Sequence, residues 1–253
     1  MSAMKRIKGQ MHRYGEADFD RDYLRWGFHD TETQMREADS VLRIAGGDRR
    51  LRILDLACGT GIHAVHWAKQ GHTVTGVDLS ETFITQARER MSRERVSVQF
   101  IVSDIRALAF HETYDLVSWI ENSFFDEDVI TRVRQCLTGG GCFVLDVRNP
   151  ENPKVKSRQG NWRTWREENG VFYLERHETD ERTGVHEDAW ITIDPQGDVI
   201  EERINTTQRL MSLEQKMQVM KKAGFNRVEL RTMESQAFVG GPEPYWLWLV
   251  GRT

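Results

Sequence analysis

Cysteine is scarce in this chain: Cys58, Cys136 and Cys142 are the only three in 253 residues, with no C-x-x-C spacing between them. That scarcity argues against a disulfide framework or a thiolate metal site and points to a reducing cytoplasm. Long apolar runs are missing too, so nothing approaches the length needed to cross a membrane. The N-terminus is polar and charged and lacks the apolar centre of a signal peptide. Neither sign of charge dominates. A net charge of −4 gives no general electrostatic reason to expect a nucleic-acid or membrane partner. There is no internal repeat and no low-complexity tract. What remains is a soluble, intracellular globular chain. Its 39% hydrophobic content is enough for one elaborated domain or a domain with an insertion.

The stretch that organises the rest is Ile53-Leu54-Asp55-Leu56-Ala57-Cys58-Gly59-Thr60-Gly61. It begins as a continuous apolar run, the pattern of a parallel strand buried on both faces, and then breaks into Gly-Thr-Gly. Ile62 to Lys69 can continue as a helix, giving strand, glycine turn and helix, the first unit of a nucleotide-binding α/β domain. Gly59 and Gly61 lack a Cβ, so a ligand can lie against their main chain, and the helix start offers N–H groups with no partner inside the helix. Gly59-x-Gly61-x-x-Ala64 also fits a dinucleotide fingerprint. Three features favour S-adenosylmethionine instead: Asp55 and Ala57 ahead of the glycines, about fifty residues preceding the strand, and two acidic strand ends downstream, Val77-Asp78 and Val102-Ser103-Asp104.

With these residues in place, the chain resembles the class I S-adenosylmethionine-dependent methyltransferases over roughly residues 50 to 150. The resemblance implies a Rossmann-like, mostly parallel seven-stranded α/β sheet whose last strand is antiparallel. The cofactor-binding set it implies is Asp55, Ala57, Gly59, Thr60, Gly61, Asp78, Leu79, Asp104, Ile105 and Trp119. Asp78 can accept hydrogen bonds from both ribose hydroxyls. Asp104 and Ile105 stand where the family holds the adenine.

Taken in order, Lys5, Arg6 and Lys8 open a segment expected to fray over residues 1 to 10. Phe19, Tyr23, Trp26 and Phe28 then put four aromatics into ten residues, more than a solvated tail carries. They suit either a short helix packed on the domain or, from the resemblance, a lid, with Tyr14, Tyr23 and Trp26 as candidate lid and substrate residues. Thr31 to Ala45 reads as a helix with Met35, Ala38, Val41, Leu42 and Ala45 near one face. Strands follow at Arg52–Leu56, Thr73–Val77, Val96–Val102, Tyr114–Ile120 and Cys142–Val147, and Ser80 is the expected N-cap of the helix after Asp78. Ligands of such sheets bind beyond the carboxyl ends of the strands. Trp119, Glu121 and Phe124 therefore lie where methyl donor and acceptor should meet, and Asp146, Arg148 and Asn149 end the next strand at the same edge.

A link from Asn149 to Gln159 leads to runs at Asn161–Arg166, Val171–Glu178, Glu187–Asp194 and Val199–Leu210, separated by turns. Their alternation predicts a four-stranded antiparallel insertion. Similar small-molecule methyltransferases carry such a sheet over the active-site mouth, which makes Trp162, Arg176, Trp190 and Arg209 substrate candidates. An exposed face or edge for a homodimer is the other use. The expected layout is an N-terminal helical or lid segment (1–50), the cofactor-binding core (51–149), the insertion (150–210) and the last part of the core (211–253). The reaction implied is in-line methyl transfer to N, O or C of a small-molecule acceptor, with no metal. His177 and Glu121 are the candidate bases. An NAD-dependent oxidoreductase and a non-catalytic S-adenosylmethionine-binding protein are the rival readings.

Overall fold

In the computed structural model, the residues described are 5–8, 15, 20, 24, 31–107, 113–120, 125–153, 162–166, 170–179, 186–207 and 211–253. They divide into two compact units, one drawn from 14–148, 213–240 and 246–253, the other from 1–13, 149–212 and 241–245.

The larger unit is built on β2 (Arg52–Leu56), buried from Ile53 to Leu56. It runs parallel to β3 (Thr73–Asp78) on one side and to β5 (Tyr114–Trp119) on the other, with Ile53 opposite both Val74 and Leu116. Helices cover both faces of such a central parallel strand, which is why Ile53, Leu54 and Leu56 are apolar and Asp55 is the one polar residue of the buried stretch. Outside them lie β4 (Gln99–Val102), parallel to β3, and β6 (Leu137–Arg148), parallel to β5. The antiparallel strand β12 (Trp246–Arg252) then sits between β6 and β11 (Arg227–Arg231). The order β11-β12-β6-β5-β2-β3-β4 is the sheet expected from the sequence. It reverses direction between β2 and β5, so a crevice opens at the carboxyl ends of these strands.

Parallel neighbours need crossovers, and α2 (Ile62–Lys69), α3 (Glu81–Glu94) and α4 (Glu127–Cys136) supply them here, while α1 (Thr31–Ala45) precedes β2 and α5 (Leu213–Lys222) leads into β11. Two apolar clusters result. One joins α1 and α2 to Ile53, Val74, Leu116, Val144 and Trp248. The other gathers Leu54, Leu56, Val77, Trp119, Phe143, Leu145, Leu247 and Leu249 with Val129 and Ile130 of α4 and Met220 of α5. On α1 the buried set is Gln34, Ala38, Ser40, Val41, Leu42 and Ile44. The stripe is thus rotated toward two polar residues, because Ser40 Oγ accepts the Trp248 indole N–H at 2.9 Å. Ser80 caps α3, its Oγ accepting from the Phe83 N–H at 3.0 Å. The Gly139–Gly141 run does not end an element. β6 passes through it, with Gly140 at φ +79°.

The smaller unit holds a five-stranded sheet in the order β1-β10-β9-β8-β7. β7 (Trp162–Arg166), β8 (Phe172–Thr179), β9 (His186–Ile193) and β10 (Val199–Thr207) are the four antiparallel runs of the sequence reading. The fifth strand corrects that reading. Residues 5–8, expected to fray, form β1 (Lys5–Lys8), parallel to β10 with Lys5 opposite Glu201 and Lys8 opposite Ile204. Pairing with β10 satisfies backbone groups of β1 that a free tail would leave to water. Asn149 and Asn152, both buried, tie the start of the insertion to residues 241–244. The Asn149 amide donates to the Gly241 and Pro244 carbonyls, that of Asn152 to the Pro242 carbonyl. Among the described residues no helix is long and apolar enough to cross a membrane.

Candidate functional site

At the carboxyl end of β2 the chain takes left-handed backbone angles three times, at Ala57 (φ +53°), Gly59 (φ +52°) and Gly61 (φ +73°). For alanine this conformation costs on the order of 1 kcal/mol or more, so the surroundings must hold it. They do so by hydrogen bonds. The Cys58 N–H donates to the Val77 carbonyl at 3.0 Å and the Gly61 N–H to the Cys58 carbonyl at 2.9 Å. Asp78 accepts from the Gly59 N–H at 2.8 Å through one oxygen and from the Ser80 N–H at 2.8 Å through the other. A single carboxylate thus fixes the glycine turn against the start of α3. Each of its oxygens has a further lone pair, enough for the ribose hydroxyls expected there. Burial pushes the Asp78 pKa up; the N–H groups of Ser80 and Gly59 pull it down, and the neighbouring Asp20 pushes it up again.

The two glycines have different neighbours. A Cβ on Gly61 would meet Ala87 Cβ and Phe100 Cζ at 2.8 Å, so this glycine is required by packing. A Cβ on Gly59 would meet nothing within 4 Å among the described residues, so on their side it borders open space. At the ends of the two neighbouring strands Leu79, which follows Asp78, is 43% exposed and Val102 is 42% exposed. Val102 pairs with Asp78 in the β3–β4 ladder. Two exposed aliphatic side chains at adjacent strand ends suit the faces of a flat apolar ring.

Asp55 is buried below the turn. Ser118 Oγ donates to its Oδ1 at 2.8 Å, while Oδ2 has no hydrogen-bond partner. Burial is the main reason its pKa is pushed up to about 6, opposed by the nearby His63 and by Ser118. A carboxyl with its pKa raised in the fold keeps its proton while the unfolded chain loses it. Stability should therefore fall as pH rises from about 4 to about 6, by on the order of 3 kcal/mol for this group, and stay lower above that. Urea denaturation of wild type and Asp55→Asn across that window checks this. The variant should have the flatter profile; equal slopes would mean that Asp55 ionises normally.

Two residues here were not among the sequence candidates. Asp20, buried, accepts from Ser80 Oγ at 2.6 Å and from the Gly15 N–H at 3.1 Å, tying the N-terminal segment to the turn after β3. His63, also buried, places Nε2 3.4 Å from a Glu37 carboxylate oxygen and stacks on Trp67. The sequence signal for His63 is a polar residue inside an apolar stretch, whereas Asp20, flanked by Asp18, Arg21 and Asp22, carries none.

Other candidates stand differently from expectation. Asp104 engages Arg106 in a two-pronged ion pair, with contacts of 2.6 to 3.1 Å, and this guanidinium holds its pKa below the usual carboxylate range. A ligand amino group would have to share that carboxylate with Arg106. Ile105 is buried in the second apolar cluster and backs the site. Trp119, expected at the cofactor, is fully buried in the same cluster. Thr60 is half-buried, its carbonyl accepting from Arg90 at 3.2 Å.

Arg176 pairs with Glu187 at 2.9 Å and Glu178 at 3.4 Å within its own sheet. The register places Trp162 opposite Arg176, but Trp190 opposite Glu175 and His177 opposite Asp188. Positions 162 and 176 therefore share one face of the sheet, and 177 and 190 the other; the four do not form one wall. The side chains of Trp162, His177 and Trp190 lie outside the described residues, as do Tyr14, Tyr23, Trp26, Glu121, Phe124 and Arg209. Arg148 is exposed at the end of β6, its guanidinium 5.6 Å from the ring centroid of Trp246, its partner across the β6–β12 ladder.

Residues 53–141 match the family model described as a methyltransferase domain. Among curated proteins, the cypemycin N-terminal methyltransferase of a Streptomyces species is 33% identical over 106 residues, 39% of this chain and 42% of that protein. The chain thus spans less than half the length of the first curated relatives it matches. Among solved structures, the CcbJ methyltransferase from Streptomyces caelestis superposes with a TM-score of 0.72 at 20% identity, covering 91% of this chain and 94% of that one. An S-adenosylmethionine-bound amino pentose methyltransferase from Micromonospora echinaspora gives 0.64 at 21% identity, covering 93% and 97%. These similar structures share the fold.

Proposed function

We propose that the protein is a class I S-adenosylmethionine-dependent methyltransferase that transfers a methyl group to a small-molecule acceptor, a reading supported by the match of residues 53–141 to the methyltransferase-domain model. The observations that carry the reading are the space beside Gly59, empty among the described residues, the Asp78 carboxylate bonded to the Gly59 N–H, and, on the strand leading into the turn, a buried Asp55 oxygen with no partner among the described residues. A dry carboxylate oxygen needs a donor, and the ammonium of the cofactor's amino-acid end, directly or through water, is one. Asp78 would take the ribose hydroxyls, Leu79 and Val102 the faces of the adenine, and Asp104 its amino edge beside Arg106.

When bound, the cofactor supplies a sulfonium methyl that is displaced in line by the acceptor's lone pair. The protein's work is then alignment and exclusion of water. The hydrogen-bonded turn at 57–61 keeps the donor site pre-shaped, and Asp20 on Ser80 holds the N-terminal segment at its border. An amine acceptor needs only its neutral form at the site, whereas a hydroxyl needs a base. The three cysteines, free and buried, support the cytoplasm as the place of action.

The test is transfer of a labelled methyl group from S-adenosylmethionine to a panel of small amines, phenols and carboxylic acids. Turnover on any of them that disappears in Asp78→Ala supports the reading. Tight cofactor binding without transfer to any acceptor class would favour a cofactor-binding regulatory protein.

A further inference from the structure

The helix α5 buries Met220 in the second apolar cluster and packs Leu213 and Met217, half-buried on one stripe with it, against that cluster. Lys216 falls on the same stripe, three residues after Leu213 and four before Met220, and is half-buried, whereas Lys221 and Lys222 on the same helix are exposed. A lysine on the core-facing stripe of a helix is the informative kind of burial. Its ammonium lies 5.4 Å from the ring centroid of Phe125, in the segment between β5 and α4. Asp146 and Arg148, on the last turns of β6, are the charged groups that act on it. Arg148 is in turn stacked over Trp246.

β5 and β6 are parallel and β12 is antiparallel to them. The end of β6 and the start of β12 therefore share the carboxyl edge at which β2 and β3 also finish. Two cations, each backed by an aromatic ring, stand at that edge. Among the described residues neither has a carboxylate within ion-pair distance. Among the described residues Asp146 is the carboxylate whose charge acts on Lys216. Burial and the repulsion of Arg148 push the Lys216 pKa down, while Asp146 pushes it up. An anion arriving between the two cations would relieve that repulsion and give each a charge-assisted hydrogen bond.

We propose that Lys216 and Arg148 form a cationic subsite that takes an anionic group of the methyl acceptor, a carboxylate or a phosphate. The proposal rests on the methyltransferase reading, because it treats the carboxyl edge of β6 as the acceptor side of the site. It narrows the acceptor to a molecule that carries a negative group away from the methylated atom. Phe125 and Met217 make the surroundings of Lys216 apolar, so the anionic group is attached to an apolar body.

The experiment is titration of the protein, loaded with S-adenosylhomocysteine, with benzoate, phenyl phosphate and the neutral isostere benzamide. One of the two anions should bind saturably and benzamide roughly ten-fold or more weakly, the worth of one charged hydrogen bond. The better anion identifies the group as carboxylate or phosphate. Lys216→Met and Arg148→Met should each weaken the anion roughly ten-fold or more and leave S-adenosylhomocysteine affinity unchanged. Lys216→Arg should retain most of it. Lys216→Met should also raise Tm by a few degrees, because it completes an apolar stripe that the charge interrupts. Equal binding of benzamide and the anions, no binding of either anion, or unchanged anion affinity in Lys216→Met would overturn the subsite. Failure of S-adenosylhomocysteine to bind at all would be a failure of the methyltransferase reading, and the subsite would fall with it.

Discussion

Gly59→Val is expected to abolish S-adenosylmethionine binding, a loss of roughly 100-fold or more, in a protein that still folds. Among the described residues no atom beyond the chain neighbours lies within 4 Å of the new Cβ, so that framework has nothing to push aside. Its cost to stability is the left-handed backbone at φ +52°, about 2 kcal/mol for a β-branched residue. Gly61→Val is the contrasting case. There the Cβ meets Ala87 and Phe100 at 2.8 Å and the residue sits at φ +73°, so overpacking adds to strain and the domain itself is lost. Thermal unfolding and calorimetry on the two variants separate a glycine kept for a ligand from one kept for packing. Unchanged cofactor affinity in Gly59→Val would mean that the open space at this turn is not the donor site.

Trp119→Ala should cost about 3–5 kcal/mol of folding stability. The ring is fully buried at the end of β5, in one cluster with Leu54, Leu56, Val77, Ile105 and Val117, and its removal leaves a cavity that a close-packed interior cannot collapse to fill. Trp119→Phe should cost much less, because most of the apolar volume stays. Urea denaturation of both variants gives these values. If instead Trp119→Ala changed stability by less than about 1 kcal/mol while cofactor affinity collapsed, the ring would belong to the binding site after all.

The framework of the larger unit was legible because its signals are local. Continuous burial from Ile53, glycines with positive φ and the capping serine at Ser80 each leave a short pattern. The remainder depends on pairings that no short window contains. Asp20 meets Ser80 across sixty residues, and β1 finds β10 near the other end of the chain. Trp119 is fully buried at a strand end that faces either core or crevice, and strand alternation does not say which. Asp104 stands where the sequence placed it, yet Arg106, two residues later, already holds its carboxylate. In the smaller unit the residues were right for a half-buried sheet, but only the register showed that positions 162 and 176 lie on the face opposite to 177 and 190. Lys216 was in plain view inside a helical stripe. A lysine there reads as a solvated side chain until its neighbours are known.

The central claim is that the cradle formed by Asp55, Gly59 and Asp78 takes S-adenosylmethionine. The most direct measurement is parallel titration calorimetry with S-adenosylmethionine, S-adenosylhomocysteine and NAD. Binding of the first two at one site per chain, with no heat from NAD, is the result expected. Binding of NAD alone would contradict it, and the glycine turn would then be a dinucleotide site.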